Sequence, residues 1–337
     1  MSKQSSRFPA EWEEQSGILL TWPDELTDWA NIMYEVLPVY EQIACEILKQ
    51  EKLLVVCRNK QLLPSFIINS PSTIIHEMEI NDTWARDHGP LFIIENGRFV
   101  LLNFCFNGWG NKFPASYDNQ ITPNLVSSKT FSTSIRFLDF SSFVFEGGSI
   151  ESNGKGCLMT TSQCLLSDHR NPHLNKKEIE QFLLKNLHSQ KIIWLNHGFL
   201  EGDDTDSHID TLARFCNENT IAYVKCQYKK DIHYDSLMRM EEELLSEGDC
   251  FNLIPLPFPD AVFDEDRNRL PATYANFLIL NKAILLPVFG VDQDAEAFEV
   301  MKKLFPTRQI IAINSLPLIK QHGSIHCITM QFPYGVL

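Results

Sequence analysis

Several residues suited to covalent chemistry sit in short polar clusters far apart in the chain. They are Trp84 and Asp87 in NDTWARDHGP, Glu146 in FEGGS, Asp204, His208 and Asp210 in DDTDSHID, and Cys327 in HGSIHC. A cysteine attacks carbon only as a thiolate, and an ordinary thiol ionises near pH ~8.5, so a bound cation beside it favours the reactive form. Histidine moves protons near neutral pH. Two aspartates can grip both edges of a planar guanidinium by paired hydrogen bonds. Together these types suit attack on the carbon of a bound cation. His208, Asp210 and Cys327 are also zinc-ligand types, but there is no closely spaced ligand pair and no CxxC to support a metal. His326 adjoins Cys327. Neighbours in a strand point to opposite faces, so His208 is the better proton carrier and His326 reads as packing. Asp203 and Asp206 read as solvated loop residues.

These clusters can act together only if the fold gathers them, and a repeat in the chain supplies a way. From Asn276, NFLIL and AILLPVF flank Asn281-Lys282 as a hairpin. Asp294 then caps a helix that Pro306 ends, and QIIAIN follows as a strand. The same order recurs in SIES, CLMTT, a helix with an Asn175–Glu178 capping box, and KIIWL. It recurs again in 209–215, 220–224, a helix over 235–245, and NLIPL. LFII and FVLLNF, across Glu95-Asn96-Gly97, start another copy, whose middle at 107–124 is irregular and whose closing strand is IRFLDF. GILLTW, a helix over 34–49 and LLVVC make the first copy, which GSIHCITMQF completes as a strand. Five units joined end to end predict an α/β fold, a five-bladed propeller of pseudo-symmetric ββαβ units forming one domain over 1–337. The tight hairpins argue against a purely parallel sheet. The polar clusters open their units at equivalent positions, and in a cyclic propeller such positions converge on the axis.

Composition narrows the partners. Against 29 Lys and Arg stand 43 Asp and Glu, a formal charge of −14. That field repels phosphate backbones, so nucleic acid is not an expected partner, and it suits a small cation. No apolar window is long enough to span a bilayer, and MSKQSSRFPAEWEEQSG lacks a signal-peptide core. Nine cysteines, an odd number and mostly in apolar runs, read as reduced thiols. A cytoplasmic protein with no membrane partner is expected.

The motifs RFPAEWEEQSGILLTWP, NDTWARDHGP, FEGGSIESNGKGCLMTT, NPHLNKKEIE, DDTDSHID, ATYANF, FGVDQDAEAF and IHCIT, in order over nearly the whole chain, resemble agmatine deiminases. The resemblance implies a five-bladed propeller and hydrolysis of agmatine to N-carbamoylputrescine and ammonia, with no metal or organic cofactor. It implies a small cationic guanidine as substrate and, less specifically, a homodimer. By motif, Cys327 resembles the nucleophile, His208 the general acid/base, and Asp87 and Asp210 the guanidinium clamps. Trp84 and Glu146 resemble pocket-lining residues, and Asp204 a carboxylate near the substrate chain. The sequence departs from the family pattern at Ser207, where Gly is usual, at Gln321-His322-Gly323-Ser324, and at Glu25, where Arg is common. Deimination of arginine, methylarginine or peptidyl-arginine is the alternative. It needs a cation for a carboxylate tail, for which Arg86, Arg267 and Arg269 are candidates. A non-catalytic propeller that binds a protein partner is a further alternative.

Overall fold

Turn chemistry starts each repeat. In the computed structural model, which describes residues 6–132 and 134–337, Asn96 and Gly97 both take positive φ, 51° and 79°. This is the two-residue geometry that matches strand twist, and it joins Leu91–Glu95 to Arg98–Cys105 as an antiparallel pair. Arg136–Val144 then adds in parallel. Three more sheets repeat the pattern of one antiparallel and one parallel neighbour. They are Glu151–Ser152, Cys157–Thr161 and Lys191–Leu195; Ala213–Asn217, Thr220–Lys225 and Asn252–Pro257; and Leu278–Ile279, Ala283–Val288 and Gln309–Asn314. In the remaining sheet Thr329–Pro333 pairs antiparallel with Gln15–Thr21, so the two ends of the chain share one blade. Lys52–Cys57 and Thr73–Glu77 follow in parallel. The last of these strands was not anticipated; it is a half-exposed edge with no apolar run to mark it.

The central strands are mostly apolar, and much of their length is buried on both faces. Alternation along Lys52–Cys57 sends Leu53 and Val55 to one apolar cluster and Leu54 and Val56 to another. Ala283–Val288 splits likewise, Ile284 and Leu286 against Ala283 and Leu285. Helices cover the parallel crossovers: Met33–Leu48, Lys176–Asn186, Tyr234–Leu245 and Gln293–Leu304. The expected Asn175–Glu178 capping box is present. Asp294 is not a cap. Asp292 holds that position, and the Asp294 carboxylate folds back to accept the backbone N–H of Phe289, Gly290 and Val291 and the hydroxyl of Tyr274. Among the described residues no helix is long and apolar enough to cross a membrane.

The segments that open the five sheets meet in a ring. Arg86 N–H donates to the Cys327 carbonyl (3.0 Å), Gly148 N–H to Asp87 (2.9 Å), Thr161 Oγ1 to the Ser207 carbonyl (2.7 Å) and Thr273 Oγ1 to the Thr211 carbonyl (2.9 Å). His326 N–H, bonded to the Asn276 carbonyl (3.2 Å), closes it.

Candidate active site

Cys327 lies one turn before the strand in which the sequence pattern placed it. Residues 325–328 form a turn, with Thr329 N–H on the His326 carbonyl, and the strand begins at Thr329. Strand alternation therefore does not apply to His326. Asn276 fixes this turn: its Oδ1 accepts the N–H of His326 (3.0 Å) and of Cys327 (3.3 Å) and lies 3.4 Å from the thiol. The sulfur stands 3.9 Å from Asp210 Oδ2. Burial first, then the carboxylates of Asp210 and Asp87, push this thiol well above its ordinary range.

Asp87 sits on the short helix Ala85–His88. Its Oδ1 accepts from Gly148 N–H and its Oδ2 from Trp109 Nε1, both at 2.9 Å. Burial pushes its carboxyl up to about 6, with His208 opposing and Asp210 and Glu146 adding to the rise. His208 Nδ1 is 3.7 Å from Asp87 Oδ1, and Nε2 is 4.0 Å from Glu146 Oε2. Burial disfavours the charged ring, but Asp87, Cys164 and Glu146 outweigh it and raise His208 well above the usual histidine range. Asp210, on the turn Ile209–Thr211, engages His326 Nδ1 through Oδ2 (2.7 Å), which keeps its carboxyl low against burial. Its Oδ1 and the Nε2 of His208 are buried and have no hydrogen-bond partner among the described residues.

A cleft of about 390 Å³ opens onto Asp87 and Cys327 between Trp84, Trp109 and Phe113, and Asp28 and Asp204 also line it. Among the described residues no Lys or Arg side chain is on its wall. Trp84 packs so closely on Gly323 that a Cβ there would lie 2.1 Å from the ring, which explains a glycine at that point of Gln321–Ser324. His208 and Asp210 reach the cleft through Asp87 and Cys327 rather than from its wall. A larger groove, about 730 Å³, between Phe8–Gln15 and the first hairpin holds none of these groups.

The model of the Porphyromonas-type peptidyl-arginine deiminases matches residues 7–333. The chain belongs to that family. Members are hydrolases that act on amidine C–N bonds, and so is this chain. A Porphyromonas gingivalis structure provisionally designated an arginine deiminase is 43% identical, with TM-score 0.93 over 99% of this chain and 100% of that one. A Campylobacter jejuni agmatine deiminase whose Cys-to-Ser variant was solved with substrate bound is 37% identical, with TM-score 0.92 over 98% and 97%. A Selenomonas ruminantium relative, provisionally designated an agmatine deiminase, is 32% identical over 97% of this chain and 95% of its own. The dimethylarginine dimethylaminohydrolase of Pseudomonas aeruginosa, 12% identical with TM-score 0.51 over 95% of this chain and 100% of that one, shares the fold.

Within this candidate site, Asp87, Asp210, His208 and Cys327 form one cluster, and Trp84 and Asp204 line the cleft. Glu146 stands behind His208 instead, fully buried, with both oxygens on Arg170 Nε at 3.0 and 2.9 Å. Asp203 and Asp206 are not merely solvated. Asp203 accepts from Ser207 N–H (2.8 Å), steadying a residue in the left-handed region (φ 63°) where the family usually has Gly. Asp206 pairs with Arg170 (2.6 Å) and Lys112 (2.7 Å). Arg86 is buried against Glu11 and Arg269 pairs with Asp231; neither they nor Arg267 line the cleft. All nine cysteines are free, although Cys45 and Cys250 are exposed rather than buried. Sequence reasoning missed Trp109, Asn276, Arg170 and Glu11. Asn276 lay inside the recognised ATYANF motif; Trp109 sits in a stretch with no periodicity to mark it.

Proposed function

We propose that this chain, as one catalytic domain over 1–337, hydrolyses agmatine to N-carbamoylputrescine and ammonia. The observation that carries the reading is a thiol flanked by the carboxylates of Asp87 and Asp210, beneath a cleft whose charged wall residues are acids. The guanidinium lies between Asp87 and the free Oδ1 of Asp210, with its carbon facing Cys327 Sγ. Its positive charge offsets the two carboxylates that hold the thiol up, so substrate binding itself favours the thiolate. The thiolate adds to the guanidinium carbon. His208 gives its proton to the departing nitrogen, ammonia leaves, and a thiouronium remains on Cys327. His208, now neutral, takes a proton from water as the oxygen attacks. Collapse breaks the C–S bond, passes the remaining hydroxyl proton to the sulfur, releases the ureido product and restores the thiol.

Asp204 and Asp28 suit a substrate tail ending in an ammonium, and among the described residues no Lys or Arg on the wall awaits an α-carboxylate. Ammonia release from agmatine, arginine, methylarginine and an arginyl peptide, assayed side by side, tests the choice. Agmatine is expected to give the highest kcat/KM, and faster turnover of any arginine-type substrate would overturn it. Cys327→Ser is expected to lower kcat by on the order of 10³-fold or more with unchanged circular dichroism. Cytoplasmic residence and a homodimer complete the reading; light scattering checks the dimer.

A further inference from the structure

Beneath the reacting groups runs a file of buried charges that the proposed reaction leaves unused. His326 Nδ1 is 2.7 Å from Asp210 Oδ2, and its Nε2 is 2.9 and 3.0 Å from the two oxygens of Glu11. Glu11 comes from the N-terminal segment ahead of the first strand and is gripped by Arg86 (2.9 Å) and Arg214 (2.5 Å). Arg214 also bonds Glu151 and the carbonyls of Ala275 (3.0 Å) and Phe277 (2.9 Å). Arg86 Nε reaches the His326 carbonyl at 3.4 Å. His326, Asp210, Arg86, Arg214 and Glu151 are all buried.

The acceptors around the ring bear on its protonation state. An ionised carboxylate only accepts. Burial works against the Glu11 charge, but His326, Arg86 and Arg214 hold its carboxyl well below the usual range, and Asp210 is likewise held low. Both imidazole nitrogens thus face acceptors at 3.0 Å or less, and a neutral ring would set a lone pair against one of them. Burial, then the charges of Arg214 and Arg86, oppose an imidazolium and on balance push the ring below the ordinary histidine range; the acceptors on both nitrogens argue the other way. The direct contacts favour the imidazolium, since each ring nitrogen lies within 3.0 Å of a carboxylate oxygen, of Asp210 on one side and Glu11 on the other.

We propose that Glu11 and His326 are positioning residues for the deiminase reaction: Glu11 holds His326 as an imidazolium, whose Nδ1–H locks Asp210 with its free Oδ1 toward the substrate. The N-terminal segment is then a working part of the site. This rests on Asp210 as a guanidinium clamp. The groups that face His326 are Asp210 from the turn Ile209–Thr211, Arg214 from Ala213–Asn217, Arg86 from Ala85–His88 and Glu11.

The full chain with ¹⁵N-labelled histidine reads the ring directly. At pH 7 the His326 signal, assigned by its absence from His326→Asn, is expected to show two protonated nitrogens, and Glu11→Gln should leave one. Asp210 then loses a compensating charge and takes up a proton at higher pH, so a second step of kcat/KM, on the acid side of the limb that Asp87 sets, should move up by about one pH unit in Glu11→Gln. The amide nitrogen of His326→Asn stands in for Nδ1 and keeps one donor to Asp210. That variant should lose about tenfold in kcat/KM, where His326→Leu loses 100-fold or more. A singly protonated ring in the wild type, or a Glu11→Gln pH profile superimposable on the wild type, overturns the proposal. Should His326→Leu not fold, the spectrum and the Glu11→Gln profile still decide. Should no guanidine be turned over, the proposed function fails, and the ring signals still judge the Glu11–His326 link.

Discussion

Gly148 stands where the charged groups converge. A Cβ there would lie 2.6 Å from His208 Nδ1, 2.8 Å from Asp87 Oδ1 and 3.2 Å from Asp210 Oδ2. Its N–H also holds Asp87, so neither the backbone nor the acids can give way freely. Gly148→Ala is expected to cost about 1–3 kcal/mol of stability from overpacking. It should cost far more in function, roughly 100-fold or greater in kcat/KM, because 1 Å of displacement at a reacting group can have that effect. Melting curves and kinetics on the same preparation separate the two. Asp87 sets the acid limb. Its carboxyl is pushed up to about 6 by burial and must be ionised to clamp a guanidinium, so kcat/KM should rise with pH through about 6. Bound cation favours the ionised form, so the corresponding limb in kcat should lie lower. Identical limbs in both parameters would argue against Asp87 as a clamp.

At the scale of elements, local chemistry and site geometry are separable. The Asn175–Glu178 capping box starts Lys176–Asn186, a helix that contributes no site residue. Asn175→Ala is expected to lower stability by about 1 kcal/mol and leave kcat unchanged, as thermal unfolding and assay below the transition would show. The stretch 108–111 behaves differently. Gly108, Trp109, Gly110 and Asn111 all take positive φ, 68°, 55°, 85° and 64°. For Trp109 this is costly, and the ring that results donates to Asp87. The sequence showed this region only as Gly-rich and irregular, because a run of left-handed residues has no hydrophobic period. The same blindness placed Cys327 in a strand: IHCITMQF alternates well enough to read as one, and only the Asn276 anchor, from another blade, reveals the turn.

Over the whole molecule, the charge of −14 and the acidic cleft act together. A doubly charged cation is drawn to such a surface, and salt screens that attraction over roughly 10 Å at 0.1 M. Raising ionic strength from about 0.05 to 0.5 M is therefore expected to lower kcat/KM for agmatine several-fold with little change in kcat; an unchanged KM would show that the field outside the cleft contributes nothing. The ring of segments that open the blades explains why distant motifs cooperate, since each inter-blade hydrogen bond also places a site residue or its neighbour.

Read alone, the sequence determined the five repeats, their hairpins and helices, and the residues that converge, because periodicity, turns and caps are local and survive as patterns in the chain. Cys327, His208, Asp87 and Asp210 could be grouped for that reason, while their separate roles came from the resemblance to deiminase motifs. Which oxygen of Asp210 stays free, that Glu146 backs the imidazole and does not line the cleft, and that His326 bridges Glu11 to Asp210 were decided only by tertiary structure. Those relations join side chains up to 315 positions apart, and electrostatic partnership across such a span leaves no period or spacing to read.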